Sequence, residues 1–482
     1  MSEHRQFDLC VIGAGPAGQK AAIQAAKAGR RVVIVDRLRE VGGACVHTGT
    51  IPSKALREQA LRQLAIARTR MPDSGADNAM SVEMHTLLGD VDQIIAAHDR
   101  YMGQQLSRNG ITCLRGVARF IDGATLEVRR IDGSRYRIGA PRFVIAVGSR
   151  PRAPEGIEID HEHVLDSDSI LSLAWLPRSL IVLGSGVIAS EYACMFSALG
   201  CAVTQIDRAS RPLGFLDAEI IDHYLEEFRA RGAVYLGESV CTRLAWDGVS
   251  QVEVTLGDGR LLYADKVLVA LGRIANIDGL GLKAAGVMVT ARGHVAVDDE
   301  FRTSAAGIYA AGDVIGPPSL ASAAMEQGRI AACHALGLLA GERPEQIPTG
   351  VYTIPEIASV GLSEVEATQR YGSALIGRAR FAEIARGQIS GTPRGLLRMI
   401  ADPGGRKLLG VQVIGECAAE LVHVAQISLA GEADVDTFVD QVFNFPTYAE
   451  AYRVAALDVV RQRRKVSAPE VETGWEDAIA AI

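Results

Sequence analysis

Short apolar runs recur along the chain, and each ends at a glycine-rich turn or an acidic residue. They lie at residues 8–12, 31–35, 143–147, 179–183 and 202–206. Runs of about five apolar residues bounded by turn residues are typical of strands buried on both faces of a parallel sheet. Alanine-rich stretches of helical character separate several of them. The alternation predicts an α/β fold.

The first of these runs leads into a glycine-rich turn. Gly-Ala-Gly-Pro-Ala-Gly occupies residues 13–18, a helical stretch follows to about Gly29, and the next strand ends in an acid. Glycines allow a tight turn and the close approach of a pyrophosphate, the helix N-terminus favours its charge, and the acid accepts hydrogen bonds from ribose. A purely structural glycine turn is the alternative. The arrangement predicts a dinucleotide site formed by Gly13, Gly15, Gly18 and Asp36.

The same pattern occurs a second time. Gly184 and Gly186 follow the strand at residues 179–183, Ala189 takes the third glycine position, and Asp207 lies 23 positions after Gly184, as Asp36 does after Gly13. Two such units predict two bound dinucleotides, unless the second is a degenerate structural copy.

Charges just beyond the second acid bear on the choice of nucleotide. Asp207 suits a ribose 2′-hydroxyl, whereas Arg208 and Arg211 could pair with a 2′-phosphate. The alternative is that both arginines are surface charges. We therefore expect a site that accepts both NAD and NADP.

Two regions between the modules follow other patterns. Residues 68–90 are irregular and polar, which predicts a loop or insertion, and residues 91–109 predict a helix. Residues 111–137 alternate apolar and polar positions around two Asp-Gly pairs, which predicts hairpins.

Composition narrows the functional classes. The 482 residues suggest about three domains, and the net charge of −7 gives no reason to expect nucleic-acid binding. No apolar run is long enough to span a membrane, and residues 1–6 lack the apolar core of a secretory signal. The eight cysteines show neither Cys-x-x-Cys nor metal-ligand spacing. We expect mostly buried free thiols, a cytoplasmic location and no metal site.

Residues 42–54, Gly-Gly-Ala-Cys-Val-His-Thr-Gly-Thr-Ile-Pro-Ser-Lys, resemble the active-site segment of the flavin-dependent pyridine nucleotide–disulfide oxidoreductases. Most of that family carries two cysteines here, but this chain has Cys45 and Thr50. A thiol and a hydroxyl cannot form a disulfide, so the usual two-electron store is missing. One branch with the pattern Cys-x-His-x-Gly-Thr-Ile-Pro-Ser-Lys moves hydride between NADPH and NAD.

The resemblance implies roles for further residues. It assigns FAD to the first module and NAD or NADP to the second. It pairs Lys54 with Glu191 beside flavin N5, where the lysine charge would stabilise reduced flavin. Residues 303–313 resemble the second FAD fingerprint, in which Asp313 would bind the ribityl chain. The implied catalytic residues are Lys54, Glu191, Cys45 and Thr50, with Cys45 either a residual or a catalytic thiol; the further implied cofactor contacts are Asp313, Ala321 and Gly272.

The C-terminal region resembles the family's dimerisation domain. Residues 352–361 correspond to its opening strand, and residues 443–450 to its closing motif. Phe445 occupies the position of a histidine base, although Glu450 remains, and phenylalanine cannot move a proton. The resemblance implies a homodimer or a larger homo-oligomer.

The expected enzyme is a ping-pong NADPH–NAD transhydrogenase built from two Rossmann-like domains and a C-terminal α+β dimerisation domain. The expected boundaries are residues 1–150 and 278–347 for FAD, 151–277 for NAD(P), 348–465 for dimerisation and 466–482 for a tail. An NAD(P)H:acceptor reductase and a non-catalytic flavin-bound sensor are the alternatives.

Overall fold

The computed structural model describes residues 3–69, 84–341 and 344–467. Most of the predicted loop and the C-terminal tail lie outside these residues. The chain divides into two compact units. Unit 1 holds the residues up to Pro212 together with 231–344, and unit 2 holds 213–230 together with the residues from Glu345 onward.

The described residues form 24 strands. In chain order they are β1 (Glu3–Gln6), β2 (Leu9–Ile12), β3 (Val32–Asp36), β4 (Thr112–Arg115), β5 (Val117–Phe120), β6 (Thr125–Arg129), β7 (Arg135–Gly139), β8 (Phe143–Ile145), β9 (Ser149–Pro151), β10 (Val164–Leu165), β11 (Ser179–Leu183), β12 (Ala202–Ile206), β13 (Val234–Leu236), β14 (Cys241–Trp246), β15 (Val252–Leu256), β16 (Leu261–Ala264), β17 (Lys266–Val269), β18 (Arg273–Ala275), β19 (Ile308–Ala310), β20 (Thr349–Val351), β21 (Ile357–Gly361), β22 (Leu375–Arg380), β23 (Leu396–Ala401) and β24 (Leu408–Ile414).

The same residues form 12 α-helices. They are α1 (Pro16–Lys27), α2 (Gly43–His47), α3 (Thr50–Thr69), α4 (Met84–Arg108), α5 (Val187–Ala198), α6 (Ala218–Ala230), α7 (Ala321–Leu336), α8 (Glu364–Tyr371), α9 (Ala385–Ile389), α10 (Ala418–Ala430), α11 (Val435–Asp440) and α12 (Glu450–Ser467). No helix in the described part of the chain is long and apolar enough to cross a membrane.

The first glycine turn sits in a five-stranded parallel sheet of unit 1, in the order β19-β8-β2-β3-β4. All of β2 and β8 is buried, as a sheet covered on both faces requires. Helix α1 packs tightly on α7. The two helices are so close at Gly328 that any side chain there would clash with the Ala17 carbonyl. The α/β prediction is confirmed for this module.

The second glycine turn sits in another parallel sheet of unit 1, in the order β10-β17-β11-β12-β13. Strand β11 leads into the turn and α5 leaves it. Parallel sheets bind ligands beyond the carboxyl ends of their strands. Both predicted strand–turn–helix–strand modules are therefore present.

The predicted hairpins of unit 1 are confirmed with one correction. Strands β5, β6 and β7 pair antiparallel across turns at residues 121–124 and 130–134. Strand β4, which was included in the hairpin region, instead pairs parallel with β3 at the edge of the first sheet. The polar segment Glu3–Gln6 is itself a strand, parallel to β7. Edge strands half exposed to solvent lack a strong apolar pattern, so backbone pairing decides their placement.

The prediction of a loop at residues 68–90 was wrong at both ends. Helix α3 continues to Thr69, and α4 begins at Met84 with Gly89 inside it. Leu87, Val91 and Leu106 are buried along α4. An amphipathic stripe outweighs the roughly 1 kcal/mol that a glycine costs inside a helix.

Unit 2 is built on an antiparallel sheet in the order β20-β21-β24-β23-β22. Helices α10 and α12 pack against it, and α6 contacts β24. The α+β prediction for this region is confirmed. One charged side chain, Arg398 of β23, is almost wholly buried and lies 2.6 Å from Asp217.

The thiols are less uniformly buried than expected. Four of the eight cysteines are buried, whereas Cys113 is exposed on β4. The edge position of that strand explains the difference, since its side chains alternate between half-buried and exposed positions.

Candidate active site

The first glycine turn leaves space for a ligand in front of α1. Gly13 has φ +107° and backs onto the Ala146 carbonyl, where a side chain would clash. Gly18 likewise abuts the Gly13 carbonyl. A Cβ at Gly15 would meet no other part of the described chain within 4 Å, and no side chain caps the helix there. The uncapped N–H groups and the open space suit a pyrophosphate.

Asp36 braces the same turn. Its Oδ2 accepts a hydrogen bond from the Ala14 N–H at 2.6 Å, and its Oδ1 accepts one from the Leu38 N–H at 2.9 Å. Each carboxylate oxygen has a further lone pair. Asp36 can therefore hold the turn and still accept from a ribose hydroxyl.

The segment that begins at Gly42 is fixed directly onto this turn. The Gly42 N–H donates to the Ala14 carbonyl at 3.0 Å. Gly43 has φ +58°, and a Cβ there would stand 2.9 Å from the Cα of Gly15. The close approach explains the paired glycines, since any side chain would push the segment away from the turn.

Helix α3 starts at Thr50 and carries Lys54 to α5 of the second module. Lys54 Nζ donates to Glu191 Oε2 at 2.7 Å. The Glu191 side chain is 5% exposed and that of Lys54 is 27% exposed. The structure thus brings together two predicted residues that are 137 positions apart, and a pair this well buried is costly to break from one side.

Cys45 lies beside Thr50 and within electrostatic reach of Lys54 and Asp313. Burial raises the pKa of the Cys45 thiol, which the hydrogen bond to Thr50 and the charge of Lys54 only partly offset. A neutral thiol is a poor nucleophile. Burial therefore disfavours the thiolate form of Cys45, and the choice between a residual and a catalytic thiol stays a prediction.

Asp313 is held by residues that the sequence reasoning did not single out. Ser149 donates its hydroxyl to Asp313 Oδ2 at 2.7 Å, and Arg273 Nε donates to the Ser149 hydroxyl at 2.8 Å. Arg273 Nη1 also lies 3.9 Å from Asp168, a carboxylate with a raised pKa because of burial. Ser149 and Arg273 each follow a glycine, Gly148 and Gly272, and that adjacency was the available signal.

Gly272 and Ala321 are the remaining implied cofactor contacts. Gly272 has φ +108° and a Cβ there would meet no other described residue within 4 Å. Ala321 is the first residue of α7, whose N-terminus has no side-chain cap. Both positions leave backbone groups accessible to a ligand.

The second glycine turn repeats the first in detail. Gly184 has φ +121°, and a Cβ there would stand 2.5 Å from the Ala270 carbonyl oxygen. Gly186 precedes α5, faces open space and provides no side-chain cap. The two turns share the same backbone features, which suits two nucleotides.

The acid of the second module makes the same kind of local hydrogen bond as Asp36 makes to Leu38. Asp207 Oδ1 accepts from the Ala209 N–H at 2.7 Å, which folds the following loop back on the acid. Arg208 and Arg211 are exposed on that loop. Tyr235 of β13, also missed from the sequence, donates its hydroxyl to the Ala209 carbonyl at 2.8 Å. Burial and Asp207 raise its pKa to about 12, so the phenol remains a donor at neutral pH.

The closing motif of unit 2 carries Phe445 at the position of the histidine base. Phe445 is 66% exposed, and Glu450 begins α12. Among the described residues no hydrogen-bond partner reaches the buried Oε2 of Glu450. No group of three or more potential metal ligands occurs in the described part of the chain.

The open turns, the braced acids and the buried lysine–glutamate pair define a protein with two dinucleotide-binding modules. The family model described as pyridine nucleotide-disulphide oxidoreductase matches residues 7–328, and the model of that family's dimerisation domain matches residues 347–456. The chain belongs to the pyridine nucleotide–disulphide oxidoreductase family. It is accordingly an oxidoreductase, with FAD and a nicotinamide nucleotide as its cofactors.

Curated relatives resemble the chain over nearly its full length. A soluble pyridine nucleotide transhydrogenase of Mycobacterium bovis BCG is 41% identical over 466 residues, which cover 96% of this chain and 99% of the relative. One from Pseudomonas aeruginosa is 41% identical, with 94% and 98% covered.

Solved structures share the fold. LpdA of Mycobacterium tuberculosis superposes with a TM-score of 0.86 at 27% identity, covering 96% of this chain and all of that one. The HOCl-induced flavoprotein disulfide reductase RclA of Escherichia coli gives 0.84 at 25% identity, covering 94% and 99%.

Proposed function

We propose that this protein is a soluble pyridine nucleotide transhydrogenase that moves hydride between NADPH and NAD without an active-site disulfide. The observation that carries the proposal is the pairing of Cys45 with Thr50 beside the Lys54–Glu191 ion pair. The site has the charged residues expected next to a flavin. Thr50 takes the position of the second cysteine, so that position offers no thiol to Cys45. The names of the 41%-identical relatives support the same activity.

The residues present fit FAD in the first module. Gly13, Gly15 and Gly18 would admit the pyrophosphate, Asp36 would hold the adenosine ribose, and Asp313 would hold the ribityl chain. FAD supplies a two-electron carrier between the coenzymes. The N-terminus of α7 at Ala321 and the backbone at Gly272 would contribute further polar contacts.

Lys54 acts as a fixed positive charge in the proposed site, and Glu191 keeps it in place. A preorganised charge stabilises negative charge that develops nearby without the cost of reorienting water. Cys45 and Thr50 fill the space that a dithiol would occupy.

One nicotinamide site, formed by Gly184, Gly186 and Asp207, serves both coenzymes in turn. Asp207 accepts from the ribose of NAD, and Arg208 and Arg211 offset its repulsion of the NADP phosphate. Steady-state rates should therefore follow a ping-pong pattern.

We further propose that residues 1–150 and 278–347 hold FAD, 151–277 hold the nicotinamide nucleotide and 348–465 form the interface of a homodimer, with 466–482 a tail. The dimerisation-domain match supports self-association. We also propose a cytoplasmic location and no nucleic-acid partner, which the composition and charge support.

Hydride transfer from NADPH to thio-NAD by the purified protein tests the function. The proposal predicts parallel double-reciprocal lines and faster transfer to thio-NAD than to a quinone or dye. Reduction of the quinone alone would favour an acceptor reductase, and nucleotide binding without turnover would favour a sensor.

A further inference from the structure

Tyr235 links the two segments that surround the adenosine half of the second module. Its hydroxyl donates to the Ala209 carbonyl at 2.8 Å, in the loop after Asp207. The Ser185 side chain, in the middle of the glycine turn, hydrogen-bonds the same phenol oxygen. One side chain thus connects the turn that would face the pyrophosphate with the loop that would face the ribose.

Ala209 is the fixed point of that loop. Its N–H donates to Asp207 Oδ1 and its carbonyl accepts from Tyr235, so both polar groups of the residue are engaged. It lies between Arg208 and Arg211 in the sequence. The conformation of this residue therefore governs where both arginines leave the backbone.

The loop also packs against the end of β13. A Cβ at Gly237 would stand 2.7 Å from the Ser210 carbonyl oxygen and 3.0 Å from that of Ala209. The Ser239 N–H donates to the Asp207 carbonyl at 2.9 Å. Residues 235–239 thus form a surface on which residues 207–211 rest.

We propose that Tyr235 is a positioning residue for NADP, which holds the 207–211 loop so that its arginines are poised for the 2′-phosphate. This inference rests on the proposed function of the second module as the nicotinamide nucleotide site. Tyr235 itself need not touch the nucleotide.

The effect should differ between the two coenzymes. Asp207 is anchored by its own backbone bonds to Leu236 and Ser239, which do not involve Tyr235. Loss of the phenol hydroxyl would leave the acid in place, and the Ala209 carbonyl would keep just the long 3.4 Å hydrogen bond from the Glu238 N–H. The arginines would then have to be ordered on binding, which costs side-chain and loop entropy.

Two redox-inert probes isolate this effect on the FAD-loaded enzyme. ADP-ribose and 2′-phospho-ADP-ribose differ only in the 2′-phosphate, and calorimetry measures their affinities without hydride transfer. Tyr235→Phe should lower the affinity for 2′-phospho-ADP-ribose about fivefold, which corresponds to the loss of one typical hydrogen bond. The affinity for ADP-ribose should fall less than twofold. Gly237→Ala places a methyl group against the Ser210 and Ala209 carbonyls. It should shift the ratio of the two affinities in the same direction.

Tyr263→Phe is the matched control. Tyr263 is exposed on β16 of the same unit and donates to Glu253 at 3.2 Å, so its change removes a comparable hydroxyl. It should alter neither affinity.

Equal weakening of both probes by Tyr235→Phe, or no change in either, would overturn the positioning role while leaving the nucleotide site intact. Failure of the unsubstituted enzyme to bind either probe would overturn the site and the inference together. Selective weakening with no transhydrogenation by any variant would support Tyr235 and contradict only the proposed function.

Discussion

Lys54 and Glu191 show, at the scale of single residues, how a sequence motif and a tertiary contact combine. Both were expected from their motifs, and a 2.7 Å hydrogen bond joins them. Expulsion of water from around Glu191, only 5% exposed, makes the charge of Lys54 necessary there.

Replacing Lys54 with methionine should therefore affect both activity and stability. We expect turnover to fall on the order of 100-fold, because a preorganised charge is lost, and the thermal midpoint to fall because the buried Glu191 loses its ion pair with Lys54. The double variant Lys54→Met/Glu191→Gln should regain stability but not turnover. A single variant with turnover within twofold of the parent would remove Lys54 from the mechanism.

Buried thiols should make the protein sensitive to alkali. Burial raises the pKa of Cys201 to about 12, and burial also raises that of Cys10. Below about pH 8.5 both the folded and the unfolded protein keep these thiols protonated, so the thiols do not make the free energy of unfolding depend on pH. Above it only the unfolded chain releases the protons, and each thiol should cost up to about 1.4 kcal/mol of stability per pH unit.

Thermal melts under reducing conditions between pH 7.5 and 10.5 measure this effect. The variant Cys10→Ala/Cys201→Ala should lose less stability with rising pH than the parent, whatever its starting midpoint. Identical slopes for the two proteins would show that other groups control the alkaline transition.

At the scale of elements, the central strands of the two parallel sheets could be predicted from the sequence, whereas an edge strand and the start of one helix could not. Strands such as β2 and β11 are buried on both faces, so their sequences are continuous apolar runs followed by glycines. Strand β4 and the start of α4 lack such runs, and their places depend on neighbours distant in sequence.

The candidate site divides in the same way. Gly15, Gly186 and Asp36 could be predicted because backbone geometry demands particular residue types at fixed spacing. Tyr235 and Ser149 could not, because a hydroxyl becomes important only through the tertiary neighbour that it meets. Tyr235 belongs to no local pattern, and for Ser149 the local pattern offers just its place after Gly148.

Strand β23 of unit 2 allows a direct comparison of buried and exposed ion pairs. Arg398 within the strand is 2% exposed and bonds Asp217 and Glu364, whereas Arg394 just before it is 70% exposed and bonds Glu227. Arg398→Ala should cost about 3–5 kcal/mol, because it leaves Asp217 buried without its partner.

Arg394→Ala is the matched control and should cost less than about 1 kcal/mol. Urea unfolding of the two variants, followed by circular dichroism, measures the difference. Equal losses would contradict the assignment of Arg398 as the main polar link between β23 and the segment that leads into α6.

At the scale of the whole molecule, unit 2 exposes apolar side chains near its closing motif. Val442 is 91% exposed and Phe445 is 66% exposed. Exposed large apolar residues clustered in a dimerisation domain are consistent with an interface.

Phe445→Glu should therefore shift the proposed homodimer towards monomers in analytical ultracentrifugation at micromolar concentration. Val249→Glu, at an 82% exposed position in a hairpin of unit 1, is the control and should leave the dimer intact. A fully active monomer of the unsubstituted protein would exclude the proposed assembly.

Anaerobic titration of the FAD-loaded enzyme with NADPH, followed by addition of NAD, tests the central claim most directly. The flavin absorbance should bleach after about one equivalent of NADPH per chain, because the isoalloxazine alone takes up two electrons, and NAD should restore it with formation of NADH. Uptake of a second equivalent with the appearance of new thiols would reveal a disulfide to Cys45. That result, or a reduced flavin that NAD cannot reoxidise, would contradict a transhydrogenase that works without a dithiol.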